Sequence, residues 1–301
     1  MKVGYPCINL SLPCRSSHRF RLASFSRERF LQTVSANLDC LQQILEFNAE
    51  NGLLYFRISS DLIPFASHPV CTVPWQTIFA ARFAAIGRFI RGRRMRITMH
   101  PDQFILLTAH EEWIVAASIA ELEYHAQVLE LLELDQTARI QIHIGAAYGD
   151  RPASLDRFSR CWLRLSEKVR RRLAVENDDR LFNLADALEI NHRTGAPVLF
   201  DTFHHELFNR GEPLREAFLQ AAATWRKKDG VPLVDYSSQQ SQARRGSHGA
   251  TLDARHFRLT TAQLRGMDYD LMLEIKDKEK SALQAKAILA KRRNRPVSKV
   301  P

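Results

Sequence analysis

The sequence predicts an α/β fold: a single (β/α)8 TIM barrel with its active site at the C-terminal face of the strands. Three observations lead there. Short β-rich segments alternate with longer stretches of helical period, eight times along the chain. The 301 residues match one closed barrel, and no Gly/Ser/Pro-rich linker divides them. Six of the eight strand candidates end in a histidine or a carboxylate.

In chain order the strand candidates are 3–9, 53–59, 95–100, 139–144, 173–177, 197–202, 233–237 and 270–275, short runs dominated by apolar residues. Amphipathic stretches at 27–48, 75–91, 111–134, 154–172, 180–193, 213–228, 260–266 and 277–292 repeat apolar residues at three and four positions. Residues 1–290 therefore form the barrel domain, and 291–301, rich in Lys, Arg and Pro, a basic and loose tail.

Composition narrows the function. With 45% hydrophobic and 25% charged residues and only 12 Gly and 12 Pro, disordered and collagen-like architectures are excluded. The longest apolar run, 114–120, falls far short of the roughly 20 residues of a membrane span. The start, Met-Lys-Val-Gly-Tyr-Pro-Cys, lacks the apolar core of a signal peptide, so the cytoplasm is the expected compartment. Five scattered cysteines (Cys7, Cys14, Cys40, Cys71, Cys161) are read as reduced packing residues. The net charge of +10 favours a polyanionic partner.

The strand ends carry the chemistry. They read Met-Arg-Ile-Thr-Met-His100, Ile-Gln-Ile-His143, Leu-Ala-Val-Glu176, Val-Leu-Phe-Asp201-Thr-Phe-His204, Leu-Val-Asp235 and Leu-Met-Leu-Glu274. At average frequencies about two of eight strand ends would carry such a residue. Taken singly, a strand-end histidine is more often a hydrogen-bonded core residue; it is the convergence that argues for a site. Four carboxylates (Glu176, Asp201, Asp235, Glu274) meeting at one mouth repel one another unless cations lie between them. Imidazole with carboxylate and no thiolate suits Mn2+, Fe2+ or Zn2+. Such multi-metal sites clamp the attacking and leaving oxygens of a phosphodiester. His125 and His192 fall within helices and are read as structural, and of the adjacent pair His204 and His205 only one is expected to face the site.

Topology sorts the basic residues. Arg91, Arg93, Arg94, Arg96, Lys168, Arg170, Arg171 and Arg172 end helices and enter strands, on the face away from the site. Arg15, Arg19, Arg21, Arg151, Arg210, Arg244, Arg245 and Lys276 fall in or near βα loops, where they can neutralise phosphates flanking a scissile bond. Gln103 and Phe104 follow His100 as an amide and an aromatic of the kind that wedges into a duplex, although an aromatic after a strand is as often core.

These residues resemble the ultraviolet damage endonucleases, within the xylose isomerase-like and apurinic endonuclease barrel superfamily. The matching stretches are Gly4-Tyr5-Pro6-Cys7 with Asn9, 57–62 with His68, His100-Pro101 with Gln103-Phe104, the strand around His143, Glu176-Asn177-Asp178-Asp179, Asp201-x-x-His204, 232–248, and 273–279. The resemblance implies incision of double-stranded DNA immediately 5′ to cyclobutane dimers or 6-4 products, leaving a 3′-hydroxyl and a 5′-phosphate. It implies two to three divalent ions, Mn2+ favoured over Zn2+, Mg2+ or Co2+. Glu176 would bridge two ions, one completed by Asp201 and Glu274, the other by His100 and His143; His204 and His248 would hold the third. Gln103 and Phe104 would pry lesion nucleotides from the stack into a pocket lined by Tyr5 and Asn9, and His68 would stand near the scissile phosphate. Glu176, His68 and Lys276 are the catalytic candidates. No membrane and no obligate protein partner is inferred, and the protein would work at the nucleoid. An apurinic-type nuclease and a sugar isomerase or epimerase on the same barrel are the alternatives.

Two departures matter. Where the family often has Lys-x-His, this chain has Leu233-Val234-Asp235, so no lysine is carboxylated there and Asp235 stands in for a histidine ligand. The wedge is Phe104 where some members carry tyrosine.

Overall fold

The computed structural model describes residues 1–101 and 105–293. Its strands are β1 (Val3–Pro6), β2 (Tyr55–Ser59), β3 (Arg96–His100), β4 (Arg139–His143), β5 (Leu173–Glu176), β6 (Val198–Asp201), β7 (Leu233–Tyr236) and β8 (Asp270–Leu273). All pair in parallel with their sequence neighbours, and β8 closes on β1. The helices are α1 (Arg27–Asn51), α2 (Trp75–Ile78), α3 (Ala80–Gly92), α4 (Glu112–Leu131), α5 (Arg151–Trp162), α6 (Glu167–Arg170), α7 (Leu184–Thr194), α8 (Thr202–Leu207), α9 (Leu214–Ala222), α10 (Ala254–Gln263) and α11 (Glu279–Arg293). The (β/α)8 barrel expected from the sequence is the observed fold.

Local chemistry sets the boundaries. β1 stops at Pro6, short of the expected residue 9, because Cys7 takes a left-handed φ of 72°. The expected helix 154–172 is two: α5 ends at Trp162, and Ser166 caps α6 by accepting the Val169 N–H. Asn183 opens α7 in a capping box with Asp186, and Asp253 caps α10. α11 continues through residue 293, and the rest of the expected tail lies outside the described residues.

Strand alternation builds the interior in layers. Tyr55, Ala174, Leu199, Leu233 and Met272 form a small apolar cluster inside the barrel, separate from the main core between sheet and helices. Two residues further along the same strands stand Arg57, Glu176, Asp201, Asp235 and Glu274, so a side-chain period of two lays a charged layer on the apolar one. Gly4 lets β1 approach β2: a Cβ there would lie 1.8 Å from the Tyr55 carbonyl oxygen. Below, Arg96 and Arg139 place guanidinium groups 5.9 and 5.6 Å from the Trp225 ring centre, and Arg139 pairs with Asp229.

The expectation of five reduced cysteines is corrected. Cys14 and Cys40 form a disulfide, while Cys7, Cys71 and Cys161 are free. The loop after β1 folds back over α1 and brings the two Cα atoms to 5.7 Å, a proximity that cysteine count and spacing cannot reveal. No helix among the described residues is long and apolar enough to cross a membrane.

Candidate metal centre at the barrel mouth

β3, β4 and β5 end on His100, His143 and Glu176, with His143 and Glu176 paired in the parallel register. His100 Nε2 lies 3.6 Å and His143 Nε2 3.9 Å from Glu176 Oε2. From the other side His204 Nδ1 approaches Glu176 Oε1 to 3.3 Å and Asp201 Oδ2 to 3.7 Å. Asp201 caps α8, accepting the His204 N–H at 2.7 Å, which swings the His204 ring over the strand ends. His248, on the loop after β7, stands 3.6 Å from Glu274 Oε2.

Three groups of ligand atoms lie within 4.8 Å of one another: His100, His143 and Glu176; Glu176, Asp201 and His204; Asp201, Asp235 and Glu274. Their chemistry fits divalent cations. Asp201 Oδ2 and Asp235 Oδ1 are buried without a hydrogen-bond partner. Nδ1 of His204 donates to the Asn177 carbonyl at 2.9 Å and Nδ1 of His248 to the Glu274 carbonyl at 3.0 Å, leaving each Nε2 as a donor atom for a cation.

Electrostatics follow from burial and crowding. Burial pushes the His100 imidazole down to about 4, against the pull of Glu176. Burial alone would raise Glu176, but His143, His204 and His100 outweigh it and hold the carboxyl well below its ordinary value. Asp201 is carried up to about 7 by burial. His204 rises to about 11, because Asp201 and Glu176 hold its proton more strongly than burial expels it.

Two interior residues carry no strand-end signal. Arg57 Nη2 lies 2.5 Å from Asp235 Oδ2 and 2.7 Å from Gln141 Oε1, while Nη1 pairs with Glu274. Gln141 Nε2 donates to Glu176 Oε2 at 2.9 Å and to Asp235 Oδ2 at 2.8 Å. Burial alone would lower the Arg57 pKa, but Asp235 and Glu274 raise it well above the ordinary value; Arg57 in turn overcomes the burial of Glu274 and brings that carboxyl down to about 2. Both are polar residues on strand positions that alternation points inward, the one signal by which a reading of strand ends could have found them.

Other candidates sit elsewhere. Tyr5 and Asn9, expected to line a lesion pocket, are 0% and 2% exposed; Tyr5 donates to Asn48 of α1 and accepts from Asn9. Their part in a lesion pocket is an expectation that the resemblance alone supplies. His68 is exposed on the loop after β2, its Nδ1 accepting the Val70 N–H and its ring beside Phe65. Lys276, Arg244 and Arg245 are exposed on loops after β8 and β7. Arg151 is committed to Asp186. Gln103 and Phe104 lie outside the described residues. His205 turns away, bonded to the Glu212 carbonyl, and His125 is buried against the Glu121 carbonyl. The basic runs away from the mouth are engaged: Arg91 with Glu133, Lys168 and Arg171 with Glu130, Arg172 with carbonyls of Leu134 and Asp135. A cavity of about 500 Å3, lined by His100, His143, His204 and Asp178–Leu181 among others, opens over the cluster.

A closed parallel barrel with imidazoles and carboxylates facing one another at its C-terminal mouth defines a class, the TIM-barrel enzymes of xylose isomerase-like fold. Endonuclease IV from Thermus thermophilus shares the fold, with a TM-score of 0.56 at 18% identity over 84% of this chain and 95% of its own. The family model described as UV-endonuclease UvdE matches residues 1–299, and the chain belongs to that family. The crystal structure of SacUVDE superposes with a TM-score of 0.94 at 40% identity, covering 98% of this chain and 100% of that one. The UV DNA damage endonuclease of Clostridium perfringens is 36% identical over 94% of this chain and 69% of its own length; that of Bacillus cereus strain Q1 is 28% identical over 94% and 93%.

Proposed function

We propose that this protein cuts duplex DNA immediately 5′ to ultraviolet photoproducts, cyclobutane dimers and 6-4 products alike, leaving a 3′-hydroxyl and a 5′-phosphate. As a member of an endonuclease family it is a hydrolase acting on DNA. The observation that carries the reading is the meeting of Glu176, Asp201, Asp235 and Glu274 with His100, His143, His204 and His248 at one open end of a barrel of net charge +10.

The donor set suits two or three divalent ions, Mn2+ ahead of Zn2+, Mg2+ or Co2+. When bound, they supply Lewis acidity at the phosphodiester. Glu176 is the shared ligand, within reach of both histidine groups. Asn177 and the Glu274 carbonyl hold the tautomers of His204 and His248. Arg244, Arg245 and Lys276 draw phosphates toward the mouth, His68 assists near the scissile phosphate, and Gln103 with Phe104 separates lesion bases from the stack. Photoproducts are selected because poorly stacked nucleotides cost less to evert. The partner is DNA, and the work is done at the nucleoid in the cytoplasm.

The test is nicking of irradiated against untreated supercoiled plasmid with Mn2+, followed by end-group analysis. Selective nicking with a 3′-hydroxyl and 5′-phosphate is expected. Equal nicking of both plasmids, or cleavage at abasic sites alone, would overturn the lesion assignment.

A further inference from the structure

The loop after β4, whose Gly145 and Ala146 line the mouth cavity, presents an aromatic side chain to solvent. Tyr148 is 46% exposed, and its backbone is left-handed, with φ of 50°. A bulky residue in that region is strained, and strain persists only where surrounding contacts impose it. Here they do. The His110 ring stands against the Tyr148 ring at 4.4 Å, edge to face, and the Arg157 guanidinium lies 5.5 Å from the ring centre. Arg157 is itself anchored, donating through Nε to the Thr108 carbonyl at 2.7 Å and through Nη2 to Ser154 Oγ at 2.6 Å. Thr108 Oγ1 donates to the Ala146 carbonyl and accepts the Ala146 N–H, both at 2.9 Å, so the loops after β3 and β4 are stitched together. Ala146 also lines the mouth cavity, which places this platform at the rim of the metal centre.

An amphipathic ring held upright over a fixed guanidinium, with an exposed imidazole beside it, suits a sugar–phosphate unit better than a base edge. It has a flat apolar face for a deoxyribose and hydroxyl and imidazole donors for the adjoining phosphate, but no paired donor and acceptor to read sequence. We propose that Tyr148 and His110 form a lesion-independent docking point for the DNA backbone at the rim of the mouth, with Arg157 positioning the ring. This rests on the reading of the chain as a DNA endonuclease.

The experiment uses the full chain and fluorescence anisotropy with two labelled duplexes, one carrying a single thymine dimer and its undamaged twin, in chelator so that nothing is cut. Tyr148→Ala and His110→Ala should each raise Kd about tenfold for both duplexes, leaving their ratio unchanged. Tyr148→Phe, which keeps the ring, should stay within about threefold of wild type. Thermal melts and bound manganese should match wild type in every variant. Wild-type affinity in Tyr148→Ala, or weakening confined to the dimer duplex, would overturn the proposal. The endonuclease reading fails separately, if the wild-type chain binds these duplexes yet leaves irradiated plasmid intact.

Discussion

Arg57 Nη2 lies 2.5 Å from Asp235 Oδ2, with both side chains buried inside the barrel. A single partner removed from such a pair leaves an uncompensated charge, whereas exchanging both for apolar groups of similar volume is often neutral. Arg57→Met should lower the unfolding free energy by about 3–5 kcal/mol. Arg57→Met combined with Asp235→Leu should recover part of that loss, the remainder belonging to Glu274, with which Arg57 also pairs. Urea denaturation of the chelated protein measures both, and a double variant no more stable than Arg57→Met would show that the pair is not the source.

Glu176 is common to both histidine-containing groups at the mouth. Glu176→Gln keeps the side-chain shape and removes the charge that cations share. Incision should fall by at least about a thousandfold while the variant still retards a dimer duplex in gels. Retained incision would remove Glu176 from the chemistry.

Cation uptake should be coupled to proton release. In the metal-free protein Asp201 holds its proton up to about 7 and His204 up to about 11. Both pKa values are raised, so Asp201 keeps its proton below about 7 and His204 keeps its own through neutral pH, and cations must displace those protons. Affinity for Mn2+ should therefore rise as pH increases from 6 to 8. Calorimetric titrations in buffers of different ionisation enthalpy will register the released protons; a pH-independent affinity would contradict this.

The Cys14–Cys40 disulfide closes a loop with a sequence separation of 26 residues. Loop-closure entropy for that length corresponds to about 3 kcal/mol. Reduction, or Cys14→Ser, should lower Tm by several degrees, and thiol counting in denaturant should rise from three to five after reduction.

Most of the architecture is legible in the sequence because parallel barrel strands are brief apolar runs that end abruptly in polar residues. The run 139–143 shows what such a pattern misses. His143 stands out as a terminus, while Gln141, two positions earlier and on the same inward face, does not. Tyr5 shows the converse case. On β1 it alternates with Gly4 and Pro6, so it faces α1 and bonds to Asn48, and resemblance alone assigns it to a DNA pocket. The disulfide is out of reach, since only the path of the loop after β1 brings its ends together.

Trp225, under Arg96 and Arg139, plugs the end of the barrel opposite the imidazole and carboxylate cluster. Between the two ends Tyr55, Ala174, Leu199, Leu233 and Met272 fill the interior, so the cluster meets solvent at the mouth, with the cavity above it as its doorway. Trp225→Ala would loosen the plug without touching that doorway. It should soften the fold while sparing the chemistry, a separation of foundation from workshop that a barrel sealed at one pole makes possible.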